Sequence, residues 1–199
     1  VGGTAVSGSD FTALSGNISI PLGVNSVFLD IPVLDDKIIE LDETVTITLT
    51  GATSLIPTTV VAGTETATIF DNDASASVIT LERLLDGQEG GSMAQFRVKF
   101  PDTYFTTVPT TVSYVISGTA SNGIDYNTIS GSVVIPAGAN AANINLPVVD
   151  DQIIEGEETV ALRLTGASNS HPYLIAYGPN TAVEVTITDN DNISPEIQL

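Results

Sequence analysis

The residues best equipped for chemistry stand in one acid-rich line that is written twice. "VLDDKIIELDET" occupies 33–44 and "VVDDQIIEGEET" occupies 148–159, 115 positions further on (148 − 33). Each copy sets two adjacent aspartates after an apolar run, with glutamates four and seven residues beyond the second aspartate. Each is followed downstream by "DND", at 71–73 and again at 189–191. Carboxylates at this density offer hard oxygen ligands, the kind that suit a divalent cation. Thiolate chemistry is excluded because the chain has no Cys. Its one histidine, His171, lacks the companions of a Ser-His-Asp or Cys-His arrangement and reads as a solvated loop residue, so no catalysis is expected.

Composition points the same way. Across 199 residues, 24 Asp and Glu face five Lys and Arg, for a net charge of −19. Such a chain repels phosphate backbones and anionic lipid, so neither nucleic acid nor a membrane surface is an expected partner. No run approaches the roughly 18 consecutive apolar residues of a membrane helix. Few Lys, no Cys and abundant Thr, Ser, Asn and Gly suit a secreted or bacterial cell-surface protein, and the absence of an initial Met suggests a segment of a longer one.

The elements that must hold these acids come from an internal repeat. Residues 3–54 lie on 118–169 without a gap, and 25 of the 52 pairs are identical. Past a three-residue insertion around "SHPYLIAYGPN" the offset becomes 118, where "TIFDND" meets "TITDND" and "SVITL" (77–81) meets "PEIQL" (195–199). The expected organisation is therefore a partial repeat over 1–73 carrying strands D–G, a complete repeat over 74–191, and the first strand of another over 192–199. Period-2 alternation in "FRVKF", "INLPV", "VALRL" and "VEVTI" marks half-buried strands. It predicts strands A near 77–85, B 93–100, C 110–118, D 131–136, E 142–149, F 158–166 and G 181–188. Seven short strands separated by turn-formers predict an all-β, immunoglobulin-like antiparallel sandwich in end-to-end tandem.

If successive strands alternate in direction, the A–B, C–D and E–F loops and the exit from G share one pole. That pole collects Glu89, Asp125, Asp150, Asp151, Glu155, Glu158, Asp189 and Asp191. The first repeat collects Asp10, Asp35, Asp36, Glu40, Glu43, Asp71 and Asp73. Two unit charges ~4 Å apart repel by ~4 kcal/mol at an effective dielectric near 20. Several such pairs rival the ~5–15 kcal/mol that stabilises a domain, and five basic residues cannot neutralise them. Ca²⁺ takes 6–8 oxygens in flexible geometry, whereas Mg²⁺ demands a strict octahedron. Eight carboxylates supply up to sixteen oxygens, so a cluster of several Ca²⁺ ions at each pole is expected.

With "EGG" (89–91), "GTASNGIDY" (118–126), "VVDDQIIEGEETV" (148–160) and "TITDND" (186–191) in place, the chain resembles Calx-β domains over nearly its whole length. The resemblance implies Ca²⁺ binding through the same fifteen acids. It adds the backbone carbonyls two residues past the second aspartate, those of Ile38 and Ile153. The chain departs from the pattern in carrying Asn72 and Asn190 between the last two acids. It also places Lys37 and Gln152 where some members carry an acid, and Lys37 is expected to cost the first site an ion or affinity. The function expected is a Ca²⁺-stiffened repeat of a surface, adhesive or filamentous protein, whose partners are neighbouring repeats and other copies in a filament or surface layer. The alternatives are a regulatory Ca²⁺ sensor pair, as in sodium–calcium exchangers, and a spacer or accessory module of a secreted enzyme.

Overall fold

A computed structural model describes residues 1–56, 58–61, 63–73, 78–101, 103–171, 176–178 and 181–191. The inter-repeat "ASA" (74–76), the "PEIQL" strand and much of the insertion loop lie outside the described residues. Every regular element among the described residues is a strand. In chain order these are β1 (Gly2–Gly3), β2 (Ile38–Ile39), β3 (Glu43–Thr48), β4 (Thr64–Ile69), β5 (Val78–Leu85), β6 (Gly87–Gln88) and β7 (Ala94–Lys99). They continue with β8 (Phe105–Thr106), β9 (Thr110–Gly118), β10 (Ser132–Ile135) and β11 (Ala141–Leu146). The last are β12 (Glu158–Ser168), β13 (Ala176–Tyr177) and β14 (Val183–Thr188). The chain divides into two compact units, Val1–Lys37 with Leu41–Asn72, and Ile38–Glu40 with Asp73–Leu199.

The second unit is a two-sheet sandwich. One sheet runs β11-β7-β5-β13 and the other β10-β9-β12-β14-β6. The predicted strands A to G correspond to β5, β7, β9, β10, β11, β12 and β14, and each long pairing is antiparallel. Alternation dictates what each strand buries. In β7, Ala94, Phe96 and Val98 are fully enclosed, while outward Gln95 and Arg97 donate to Asn145 and Asn143 of β11 at 2.6 and 3.1 Å. The facing sheet contributes Val112, Tyr114, Val160, Leu162, Leu164, Val185 and Ile187 to the same core.

Sequence periodicity misses the two-residue strands. β6 continues strand A after a register shift, crosses to the second sheet and runs parallel to the end of β14. β13 opens strand G beside β5, also in parallel. Gly118 ends β9 with φ +130°, and a Cβ there would lie 2.1 Å from the Thr159 carbonyl oxygen, so the close approach of β9 to β12 requires glycine.

The first unit is a smaller sheet in the order β1-β3-β4. Thr46 and Thr48 meet Thr66 and Thr64 across it, hydroxyl to hydroxyl at 3.0 Å. The segments aligned with strands D and E form no ladder strand there; a single bridge joins Phe11 to Val33. The reason is pairing. In the second unit E is held by β7 and D by β9, whereas residues 1–73 contain no counterpart of β7 and only the end of β9's. Phe28, in the segment aligned with E, is almost wholly exposed.

Candidate metal centre

Four connections deliver acids to one end of the second unit. The C–D loop is fixed first. Its turn closes through Ile124 and Asp125 N–H donations to the Ser121 carbonyl, both 3.1 Å. It is then clipped to the end of strand E by Val149 N–H to the Asp125 carbonyl and Asn127 N–H to the Pro147 carbonyl, both 2.9 Å. Asp125 is thereby buried, and its carboxylate accepts the Ser121 N–H at 2.5 Å. Glu89 is held by its own N–H donating to the Thr188 carbonyl at 3.1 Å, a continuation of the β6–β14 ladder.

Two trios result. Carboxylate oxygens of Asp125, Glu155 and Glu158 lie within 4.8 Å of one another, as do those of Glu89, Asp189 and Asp191. Asp150 and Asp151 complete the group. Asp150 accepts the Asn190 side-chain amide at 2.8 Å, and Asp151 turns the loop by accepting the Ile153 N–H at 2.7 Å. Asp189 is caged by the N–H groups of Glu155 and Gly156 at 2.8 and 2.9 Å.

Charge crowding registers in the acidities. Burial, then the charge of Asp125 and a hydrogen bond to it, then Glu155 and Glu89, push the Glu158 carboxyl up to about 7. Glu89 is raised by burial, then by Asp189, Asp151 and Asp191, against an opposing N–H from Asn190. Glu155 is raised by desolvation, then by Asp125, Asp151 and Asp189; Asp191 by desolvation, then by Asp189, Asp151 and Asp150. Asp189 moves down, because the N–H groups of Gly156, Asp191 and Glu155 stabilise its anion. Asp151 acts on members of both trios, which makes them one anionic field. The ion pairs of Arg83, Arg97 and Lys99 lie elsewhere, with Asp86 and Glu82.

The donor set suits a hard cation. Glu89 Oε2 and Asp191 Oδ2 are enclosed without a hydrogen-bond partner, the condition of oxygens shaped for something other than protein. Every donor named is a carboxylate oxygen, which fits Ca²⁺ far better than a nitrogen- or sulfur-seeking metal.

In the first unit, Asp10 accepts the Val6 N–H at 2.5 Å, the counterpart of Asp125 with Ser121. Asp35 accepts the Asn72 amide at 3.1 Å, the counterpart of Asp150 with Asn190. Asp71 donates its own N–H to Asp42 at 3.2 Å. Asp36 and Glu43 lie in this unit, whereas Glu40 and Asp73 group with the second, Asp73 buried. Ile38 sits in β2, while Ile153 is in an exposed loop. His171 is half-buried rather than solvated, its Nδ1 enclosed and its N–H donating to Asn169 at 3.0 Å.

Asn72 and Asn190, the departure from the family pattern, each donate a side-chain amide to the first aspartate of the acidic line. Sequence reasoning passed over Asp86, which pins strand G through the Thr186 N–H at 2.9 Å. The signal for the asparagines was available, since "DND" recurs unchanged in both copies.

Fold and site together define a class: immunoglobulin-like sandwiches carrying an all-oxygen cluster at one end. The chain belongs to the Calx-beta domain family, whose model matches residues 1–73 and 80–191. Adhesion G-protein coupled receptor V1 of Danio rerio is 25% identical over 209 residues, covering 96% of this chain but only 3% of the receptor. The chain thus spans a small part of that relative. Among solved structures, the apo-form Calx CBD1 domain is 24% identical with a TM-score of 0.44, covering 57% of this chain and 99% of its own. The calcium binding domain CBD12 of CALX1.1 is 23% identical with a TM-score of 0.42, covering 56% of this chain and 46% of its own.

Proposed function

We propose that the chain is a non-catalytic calcium-binding repeat of an extracellular surface, adhesive or filamentous protein. Ca²⁺ clusters at the acidic poles stiffen the joints between successive repeats. The observation that carries this reading is the pair of enclosed, partnerless oxygens, Glu89 Oε2 and Asp191 Oδ2, set among acids that repel one another. Glu89, Asp189 and Asp191 would hold one ion and Asp125, Glu155 and Glu158 another, with Asp150 and Asp151 beside both. The ion supplies charge neutralisation and cross-links four loops. The adhesion receptor among the relatives supports an extracellular setting, and neighbouring repeats of the same protein are the partners proposed.

Calorimetric titration of the whole chain with CaCl₂ is expected to show binding of more than one ion. Each ion held at a thousandfold excess over its Kd adds about 4 kcal/mol. At about 2–4 °C per kcal/mol for a chain of this size, one ion raises the melting temperature by about 8–16 °C. An equal melting temperature in calcium and in chelator would sink the proposal.

A further inference from the structure

The acidic line does a second job that its acids do not explain. Between the aspartates and glutamates each copy carries Ile-Ile, Ile38–Ile39 and Ile153–Ile154. The two pairs have opposite surroundings. Ile38–Ile39 forms β2, runs parallel to β8 with Ile38 opposite Phe105 and Ile39 opposite Thr106, and belongs to the second unit. Ile39 is 2% exposed, a member of that unit's core cluster. Ile153 and Ile154 are 57% and 54% exposed.

The seat for β2 is built by the complete repeat itself. The Thr106 carbonyl accepts the Gly138 N–H at 2.8 Å. The Asn140 side-chain amide holds the Tyr104 and Phe100 carbonyls at 2.7 and 3.3 Å. Thr106, wholly buried, spends its hydroxyl on the Val108 carbonyl at 2.6 Å. These bonds fasten the B–C connection to the D–E turn and leave the free edge of β8 to a two-residue strand. B–C and D–E lie at the end of the sandwich opposite the E–F loop that carries Ile153–Ile154.

We infer that Ile153–Ile154 is a docking strand whose partner is the β8 seat of another copy of this repeat. One end of a repeat is the plug and the other the socket, so the contact is heterologous and open-ended, as a linear array requires. A repeat cannot fill its own socket, because plug and socket sit at opposite poles. In the chain itself β2 occupies the socket and, being tethered, outcompetes any free copy. The inference rests on the repeat reading proposed above but not on calcium.

The test opens the socket in the full chain. Ile38→Ser/Ile39→Ser is expected to self-associate, its average mass in sedimentation rising with concentration while the parent chain stays monomeric. Adding Ile153→Ser/Ile154→Ser to the same chain should return it to a monomer. A folded double variant that stays monomeric, or a quadruple variant that associates as strongly, overturns the proposal. Should circular dichroism show the double variant unfolded, Ile39→Ala, which keeps the β2 backbone and empties its buried position, takes its place in the same pair of measurements. Association that persists in chelator separates this joint from the calcium reading, which the titration tests independently.

Discussion

The two copies of the acidic line share eight of their twelve letters and differ in their surroundings. Both tie the first aspartate to the middle Asn of "DND", Asp35 to Asn72 and Asp150 to Asn190. They differ around the isoleucines, Ile39 being buried and Ile154 exposed. In the later copy Asp189 receives the N–H groups of Glu155 and Gly156, and in the earlier one Asp71 donates its own N–H to Asp42. Gly156 has φ +84° and its counterpart, 115 positions earlier, is Leu41. A chain can thus keep the ligand letters while changing the residues set between them and the surroundings of its apolar pair.

The strongest way to break this comparison is to remove matching acids. Asp151 acts on both trios of the second unit; its counterpart Asp36 stands next to Lys37. Asp151→Asn is expected to weaken calcium binding by roughly tenfold or more, about 1.4 kcal/mol per tenfold. It should also raise the melting temperature of the ion-free chain, since a repelling charge is gone. Asp36→Asn should do less in both measurements. Equal losses in calorimetry would mean that the two copies bind alike and that the Lys37 charge is idle.

Acidity sharpens the comparison next. Glu158 moves from 4.5 up to about 7 in the folded chain, so the folded state holds a proton that the unfolded state releases. The stability gained from that proton is fully present below about pH 4.5 and is lost as pH rises through about 7. The raised carboxyls of Glu89, Glu155 and Asp191 act in the same sense. The depressed Asp189 acts oppositely, but only as pH falls below its ordinary 3.8. Protein stripped of divalent ions should therefore melt higher at about pH 5 than at about pH 8. Glu158→Gln should flatten that slope, and a slope unchanged by the substitution would take Glu158 out of the cluster.

Much of this was legible in the residues. Alternation in "FRVKF" and "VEVTI" located strands to within a residue or two because each buries one face against an opposing sheet. The pole follows from strand direction alone, which is why Glu89 and Asp191, 102 positions apart (191 − 89), are expected at the same end. What stayed hidden depends on neighbours rather than on pattern. β6, β8 and β13 are two residues long, too short to show a period. Segments 17–20 and 27–34 look like strands yet form none, since an edge needs a partner that residues 1–73 do not contain. Ile39 and Ile154 occupy equivalent positions, one buried and the other exposed, because only one has a seat.

The smallest expected effect isolates the backbone from the ligands. A Cβ at Gly156 would meet nothing within 4 Å, so Gly156→Ala creates no clash and costs only the strain of holding φ +84°, about 1–2 kcal/mol for a residue with a side chain. That is about 2–8 °C in melting temperature. Relief of the strain means rotating the peptide that aims the Gly156 N–H at Asp189, so part of the cost should reappear as weaker calcium binding. Leu41→Ala at the matching position of the first copy should change calcium affinity little, because it replaces no positive-φ glycine and leaves the Asp71 N–H to Asp42 in place. If both alanines lower affinity alike, the glycine is not what aims the N–H groups at Asp189.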